Sequence, residues 1–367
     1  MSRSEMAQLY ELESNPSASS KILQSVREEF RSSGYKIIDL DQQAKILIGL
    51  LGISLLPKWS PVLPEGNAST LGTLDLGGAS TQIVFAVPHP SSPSIETSKV
   101  TLFNKELALF ADSFLCYGVG EMRKQLLAIL AKKNNYEGEL HHPCFAVGYT
   151  VNKTYSNMFK SSCTEKFASS TPQNSNMTIV GTGNAGQCEN LISDLFNQTF
   201  PNITIPPLPD RFVARGSFAY TMNDLNVLNS ASQTTYSNFL QGMQNYCSQN
   251  HSVVSQLKLY DPNTVCVNAR YIHHLLSKTY GMSDDNWDSV VFTNSFNDMS
   301  LGWTLGYMTN ITSHLAEVPS LDLYNISNFS FYFCLILTIV LILLGVVSIV
   351  FACKYQRQKY DSLNVPT

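Results

Sequence analysis

The chain has no block of lysine and arginine in its globular part, and its formal net charge is only -4. That excludes the basic footprint that nucleic-acid binding requires. It also has no C-x-x-C pair, which argues against a zinc site. No internal repeat is evident. Met1 to Glu13 contains no apolar h-region of the kind a secretory signal needs. Ile46 to Leu56 is nearly all apolar, but eleven residues cannot cross a bilayer as a helix; it reads as a buried core segment.

At 367 residues the chain can hold two ordinary domains and a sizeable core. Cys116, Cys144, Cys163, Cys188, Cys247 and Cys266 lie in the globular part. An even number without metal spacing points to disulfides, and spacing leaves all of the 15 pairings open. Asn67, Asn152, Asn176, Asn197, Asn202, Asn250, Asn310, Asn325 and Asn328 each satisfy N-x-S/T with no intervening proline. So many acceptors, all ahead of the one long apolar run, favour a lumenal or extracellular face.

That run, Phe331 to Cys353, is uncharged and long enough for one transmembrane helix. Lys354, Arg357 and Lys359 follow it, while Glu317 and Asp322 precede it. The positive-inside rule then places the tail in the cytoplasm and the globular part outside. Cys353, at the edge of the span, is a plain membrane thiol or a palmitoylation site.

Chemistry concentrates in Leu71-Gly-Thr-Leu-Asp-Leu-Gly-Gly-Ala-Ser-Thr-Gln-Ile-Val-Phe85. Leu74 and Leu76 flank Asp75 with period two, and Ile83, Val84 and Phe85 are strand formers. The pattern predicts a hairpin over 71–87. Gly77 and Gly78 lack a Cβ, so a phosphate can approach the turn's N–H groups. Asp75 at the strand end is placed to hold a hydrated divalent cation, and Ser80 and Gln82 can orient a water. By spacing alone, an ordinary hairpin with a Gly-Gly turn explains the segment equally well.

Elsewhere the periodicity predicts an amphipathic helix with Ile22, Leu23, Val26 and Phe30 on one face, and a short strand at Lys36 to Ile38. A Pro/Ser-rich loop covers Pro88 to Pro93, with a strand near Lys99 to Phe103. Helices are expected over Leu107 to Leu115, Val119 to Leu130, Gln187 to Phe196, Tyr236 to Cys247, Val265 to Leu276 and Asp284 to Val290. Lys132 to Thr178 reads as turns and short strands, and Pro201 to Pro209 as a proline-rich connection.

Residues 71–85, Gly181-Thr-Gly-Asn184 with Gln187-Cys188, and Gly302-Trp-Thr-Leu-Gly-Tyr-Met308 stand in an order that resembles the ecto-nucleoside triphosphate diphosphohydrolases, the membrane apyrases. The resemblance covers roughly Leu12 to the C-terminus. It implies an α/β, actin/hexokinase-like two-lobe nucleotidase fold with the first lobe incomplete, plus a C-terminal transmembrane helix. The implied division is 1–45 as a remnant of the N-terminal lobe and 46–290 as the substrate lobe. Residues 291–328 form a return segment and stalk, 331–353 the membrane helix and 354–367 a cytoplasmic tail. The implied activity is hydrolysis of the terminal phosphates of extracellular nucleoside tri- and diphosphates, with Ca2+ or Mg2+; a homo-oligomer is compatible with it.

The resemblance further implies that Asp75 meets the metal's water shell, that Gly77, Gly78 and Ala79 cradle phosphate, and that Ser80 and Gln82 position the attacking water. It implies the pairings Cys116–Cys163, Cys144–Cys188 and Cys247–Cys266. A further disulfide of relatives falls near Asn197 to Phe212, where this chain has neither cysteine. Tyr220, in Ser217-Phe-Ala-Tyr-Thr221, matches a tyrosine that stacks on the nucleobase; a core tyrosine is the alternative. Gly181 to Asn184 is a turn closing the substrate lobe or a purely structural turn. Trp303 lies in a motif near the cleft, where a tryptophan between glycines also suits a core, and Ser300 stands where relatives often carry aspartate.

Gln43 occupies the place where relatives supply a catalytic glutamate. An amide can orient a water but cannot accept its proton. Asp39 and Asp41 are nearby carboxylates better read as surface residues. Relatives also carry an Asp-x-Gly-Ser-Ser motif, an Ala-Thr-Ala-Gly-Met-Arg motif and an N-terminal membrane helix, none of which occurs here. The expectation is an N-terminally truncated or alternatively spliced product, with a catalytically impaired membrane glycoprotein as the alternative function. The base-side arginine of relatives has no clear counterpart in this chain, since Arg270 lies beyond Cys266 rather than before it, and the adjacent pairs His141-His142 and His273-His274 are unsuited to zinc.

Overall fold

The computed structural model describes residues 25, 71–87, 97–102, 105–169, 176–296, 299–300 and 328–363. The expectations for Ile22 to Phe30 (Ser25 apart), Lys36 to Ile38, Ile46 to Leu56 and Pro88 to Pro93 lie outside these residues. So do Asp39, Asp41, Gln43, Asn67, Trp303, Asn310 and Asn325. Two compact units divide the chain at His314/Leu315.

In the first unit, β1 (Gly72–Leu76) and β2 (Ser80–Ala86) form the expected antiparallel hairpin, with Asp75 opposite Gln82. Alternation sends Leu74 and Leu76 into the core with no exposure, while Asp75 faces the other side. β3 (Ser98–Leu102) and β4 (Lys105–Leu115) extend the hairpin on the β2 side.

β4 corrects one expectation, the helix over Leu107 to Leu115. The segment is rich in Leu, Ala and Phe and has no β-branched residue, so local preference favours a helix. Pairing on both edges decides otherwise: β4 is hydrogen-bonded to β2 and to β3. Phe110 lies opposite Phe85, their ring centroids 5.3 Å apart, a cross-strand aromatic pair of the kind that stabilises sheets.

The chain then enters α1 (Val119–Lys133), whose face carrying Met122 and Leu126 is fully buried. A small sheet follows. β5 (Glu139–His142) runs parallel to β7 (Asn176–Gly181), and β6 (Thr150–Thr154) runs antiparallel to β7. Short helices α2 (Tyr155–Phe159) and α3 (Ser162–Glu165) connect β6 to β7 and pack on α1.

After α4 (Ala185–Thr199), β8 (Phe212–Gly216) returns beside β1 in parallel. α5 (Ser217–Asp224), α6 (Tyr236–Cys247), α7 (His251–Val254) and α8 (Pro262–His273) succeed it. α8 packs on α4, α5 and α6, and Tyr271 is fully buried. A π-helical turn, His274–Thr279, ends this run, where the spacing predicts one helix over Val265 to Leu276. The expected helix Asp284 to Val290 is shorter. α9 covers Asp284–Trp287, and β-branched Val290 and Val291 instead form β9 (Val290–Phe292), parallel to β8. The large sheet thus has the order β3-β4-β2-β1-β8-β9, antiparallel on one side of β1 and parallel on the other. β10 (Ser295–Phe296) and β11 (Met299–Ser300) make a small ribbon.

Three disulfides staple the unit. Cys116–Cys163 ties the end of β4 to α3, Cys144–Cys188 ties the β5 side to α4, and Cys247–Cys266 ties α6 to α8. Each closes a loop whose restriction in the unfolded chain stabilises the fold by about 2–4 kcal/mol.

The second unit contains α10 (Asn328–Leu363), within which Phe331–Arg357 is long and apolar enough to cross a membrane. The hydroxyls of Thr338 and Ser348 donate to the carbonyls of Cys334 and Leu344, four residues back. Both polar groups are therefore satisfied within the helix, as hydrocarbon requires.

His142 sits wholly inside the first unit, stacked on Phe145 at 4.1 Å, with Nδ1 accepting from the Cys144 amide at 3.2 Å. Its Nε2 is buried without a partner among the described residues. Burial drives its pKa down from 6.5 to about 3. The native state therefore stays neutral at this ring while the unfolded chain takes up a proton below pH 6.5. The stability this group contributes is complete above pH 6.5 and falls by about 1.4 kcal/mol per pH unit as the pH drops toward 3. His142→Gln, which keeps an acceptor, is expected to flatten that part of the pH–stability curve. Urea unfolding midpoints between pH 4 and 8 measure it; parallel slopes in the two proteins would contradict this account.

Candidate functional site

The site begins at the turn between β1 and β2. The first N–H groups of an α-helix have no partner within the helix. In α1 they find one in the turn: Val119 N–H donates to Gly77 O at 2.9 Å, and Gly120 and Glu121 donate to Gly78 O at 2.8 and 3.0 Å. In a planar trans peptide the next N–H points opposite the carbonyl. With the carbonyls of Gly77 and Gly78 drawn toward α1, the amides of Gly78 and Ala79 face away from it. Among the described residues neither has a hydrogen-bond partner. Two adjacent outward amides are free to donate to an anion.

Gly118 makes this approach possible. A Cβ there would lie 2.4 Å from the Ala79 nitrogen and 2.5 Å from that of Ser80. Glu121 completes the joint from the first turn of α1. Its carboxylate is almost buried and accepts from Lys124 Nζ at 2.6 Å and Ser161 Oγ at 2.5 Å, and a negative charge there suits the helix N-terminus.

Beside the turn runs a row of polar side chains set by register alone. Arg215 on β8 pairs with Asp75 on β1, Asp75 with Gln82 on β2, and Gln82 with Ser113 on β4. Gln82 Nε2 donates to Ser80 Oγ at 2.7 Å and to Ser113 Oγ at 2.9 Å. With both amide hydrogens committed, Gln82 keeps its carbonyl oxygen as an acceptor, and Ser80 keeps its hydroxyl proton as a donor. An acceptor and a donor side by side can fix the orientation of one water.

Asp75 is pulled two ways. Burial raises its carboxyl pKa above the ordinary 3.8, and the Arg215 charge opposes that rise. Arg215 Nε stands 3.7 Å from Asp75 Oδ1. Thr81 Oγ1 donates to the Asp75 carbonyl at 3.0 Å and meets the hydroxyl of buried Tyr280 at 3.4 Å. The strand end that carries the carboxylate is thus anchored from the opposite face.

These donors fit a divalent cation held through water and substrate oxygens rather than a caged ion. Asp75 is the single carboxylate of the row, and no group of three His, Cys, Asp or Glu side chains gathers among the described residues. Mg2+ in particular is bound through one or two carboxylates while keeping several waters.

Of the other sequence candidates, Tyr220 is 61% exposed on α5 and is not a core tyrosine. Gly181 to Asn184 is a structural joint between β7 and α4. Its Gly181, Thr182 and Gly183 amides donate to Tyr149, His142 and Phe145 carbonyls, and Asn184 Oδ1 caps α4 through the Gln187 amide at 3.0 Å. His273 bonds Tyr236 through Nε2 at 2.9 Å, and His274 packs on Phe196. Arg270 is half-buried near Glu189. Asn152, Asn176, Asn197, Asn202 and Asn250 are exposed.

Sequence reading misses Ser113, Gly118 and Arg215. Ser113 sits inside a segment whose composition favours a helix, which hides its alternation with β2. Arg215 has a visible signal. Phe212-Val-Ala-Arg-Gly216 ends an apolar strand on a charge and a glycine, a pattern similar to Leu74-Asp-Leu-Gly77, where one leucine separates the charge from the glycine.

The sequence profile of the GDA1/CD39 (nucleoside phosphatase) family matches residues 56–322. The chain is 30% identical over 329 residues to the mouse ectonucleoside triphosphate diphosphohydrolase 3, covering 82% of this chain and 61% of that protein. It is 32% identical over 282 residues to the chicken ectonucleoside triphosphate diphosphohydrolase 8, covering 73% of this chain and 55% of that one. The chain therefore spans about three fifths of the length of the curated relatives it matches. Among solved structures, a nucleoside triphosphate hydrolase from Neospora caninum superposes with a TM-score of 0.52 at 17% identity, over 72% of this chain and 63% of that one. That likeness shows the fold alone, an α/β, actin-like arrangement of mixed sheet and helices.

Gly118 and Gly138 separate steric from conformational demands. Gly138 has φ +69° and open space where a Cβ would stand, whereas Gly118 has ordinary φ but backbone against that position. Gly138→Ala is expected to cost about 1 kcal/mol, the left-handed penalty. Gly118→Ala should cost about 3 kcal/mol, because the turn or α1 must shift. Denaturant unfolding of both variants measures the difference; equal costs would remove the close contact from the explanation.

Proposed function

This chain belongs to the GDA1/CD39 (nucleoside phosphatase) family, and from that premise we propose that it hydrolyses the terminal phosphates of extracellular nucleoside tri- and diphosphates. The observation that carries the reading is the outward pair of Gly78 and Ala79 amides beside Asp75, Ser80 and Gln82. Phosphoryl transfer to water asks little covalent work of the protein; it needs an aligned nucleophile and neutralised charge. Gly77, Gly78 and Ala79 cradle a phosphate, and the Gln82 carbonyl and Ser80 hydroxyl orient the water. Asp75 would hold Ca2+ or Mg2+, and a cation bound there would offset charge on the phosphate oxygens. Tyr220, exposed on α5, supplies a stacking face for the nucleobase.

The reading extends to topology. Exposed acceptors at Asn152, Asn176, Asn197, Asn202 and Asn250, together with three disulfides, support an extracellular or lumenal first unit. Lys354, Arg357 and Lys359 after the apolar run support a cytoplasmic tail.

Gln43 favours a second reading, a glycoprotein that binds nucleotide with impaired turnover, since general-base assistance is worth about 10²–10⁴ in rate. Phosphate release from extracellular ATP and ADP, measured on cells displaying the chain with Ca2+ or Mg2+, separates the two. The parent is expected to exceed Asp75→Ala by about 100-fold, and Gln82→Ala to fall by a similar factor. Gln43→Glu should raise the rate by about 100-fold. A parent no faster than Asp75→Ala supports the binding-only reading.

A further inference from the structure

The proposed hydrolysis leaves Arg215 without a role, although the fold fixes its place firmly. β8 lies in parallel register with β1, so Arg215 is the lateral neighbour of Asp75. The next residue, Gly216, has φ +69° and donates its amide to Asn294 Oδ1 at 2.6 Å. A Cβ on Gly216 would lie 2.4 Å from the Leu76 carbonyl oxygen and 3.0 Å from Asp75 Oδ1. The backbone that carries Arg215 therefore lies close against the carboxylate, held there by the β1–β8 pairing and the bond to Asn294. Among the described residues Arg215 Nε is buried with no hydrogen-bond partner, 3.7 Å from Asp75 Oδ1, and the two side chains are only 19% and 18% exposed.

We propose that Arg215 is a built-in counter-cation: a positioning residue that holds Asp75 in place and weakens the site's grip on a divalent cation. The inference rests on the reading of Asp75 as the carboxylate that carries the cation through water. A guanidinium keeps its charge at any physiological pH, and a largely buried pair is screened far less than a surface one. A carboxylate already faced by a fixed positive charge offers a second cation less attraction, and the guanidinium repels that cation directly. The cation then depends on the phosphates of the nucleotide for most of its hold. Cation and nucleotide enter as one complex, and the site stays cation-poor between turnovers.

The test titrates the full chain in detergent with Ca2+ by calorimetry, with and without a non-hydrolysable nucleoside triphosphate. Arg215→Met keeps the apolar stem and removes the charge. It is expected to bind Ca2+ about tenfold more tightly than the parent, with the larger gain when nucleotide is absent. Arg215→Lys restores the charge and should return within about threefold of the parent, a rescue that a merely structural role would not produce. Unchanged or weaker Ca2+ binding in Arg215→Met overturns the inference, as does a loss of nucleotide affinity alone, which would make Arg215 a phosphate ligand. Should Arg215→Met fail to fold by thermal melting, Arg215→Gln carries the same expectation. In Asp75→Asn, Ca2+ binding should be largely lost, and exchanging Arg215 for Met should restore only a small part of it, since only the direct repulsion is left to remove. An Asp75→Asn chain that holds Ca2+ as tightly as the parent overturns the reading of Asp75 itself, whatever position 215 does.

Discussion

The structure depends on one exchange between a helix end and a turn. The open N–H groups of α1 take the carbonyls of Gly77 and Gly78, and neither partner would hold its shape alone. The helix gains the acceptors that its sequence does not supply, since Gly118 at its N-cap has no side chain with which to cap it. The turn gains an orientation, with oxygens inward and amides outward. A glycine pair is the most flexible choice for a turn, and here the flexibility is cancelled by three hydrogen bonds from a rigid element.

Much of the first unit serves to keep that helix in position. Gln125 of α1 donates to the Cys116 carbonyl at 2.6 Å, and Cys116 is bridged to Cys163 on α3. Arg123 of the same helix reaches Asn268 on α8 at 3.0 Å, and Tyr271 on α8 donates to the Tyr117 carbonyl just before α1. Burial and hydrogen bonding meet at the same points, so loosening the packing of α8 would be felt at the turn through α1. The π-helical turn after α8 contributes in the same sense, by delivering Tyr280 to the back of β1 and β2.

Sequence reading reaches the parts of this arrangement that are local. The hairpin over 71–87 is legible because alternation, glycines and a lone acid coincide within fifteen residues. α1, α4 and α6 announce themselves through one-sided apolar spacing. β4 does not, because its leucines, alanines and phenylalanines favour a helix until two neighbouring strands claim its backbone. α9 stops early for the same reason, when Val290 joins the sheet. Within the site, Asp75, Ser80 and Gln82 belong to one motif and are visible together. Ser113 and Arg215 come from other strands, and only register brings them alongside. The cysteine pairs have the same character, since linear spacing cannot say which helix will face which loop.

The row Arg215, Asp75, Gln82, Ser113 spans four strands, each contributing one residue by register and nothing else. Strand side chains alternate between faces, so inserting or deleting one residue in any of these strands would turn its member of the row to the opposite side. The row is therefore closed to change by length and open to change by identity. Exchanging one side chain leaves its three neighbours in register, and the balance of charge along the line can be reset in single steps. Such a surface can drift in its ionic requirements among related chains while the scaffold that presents it stays the same.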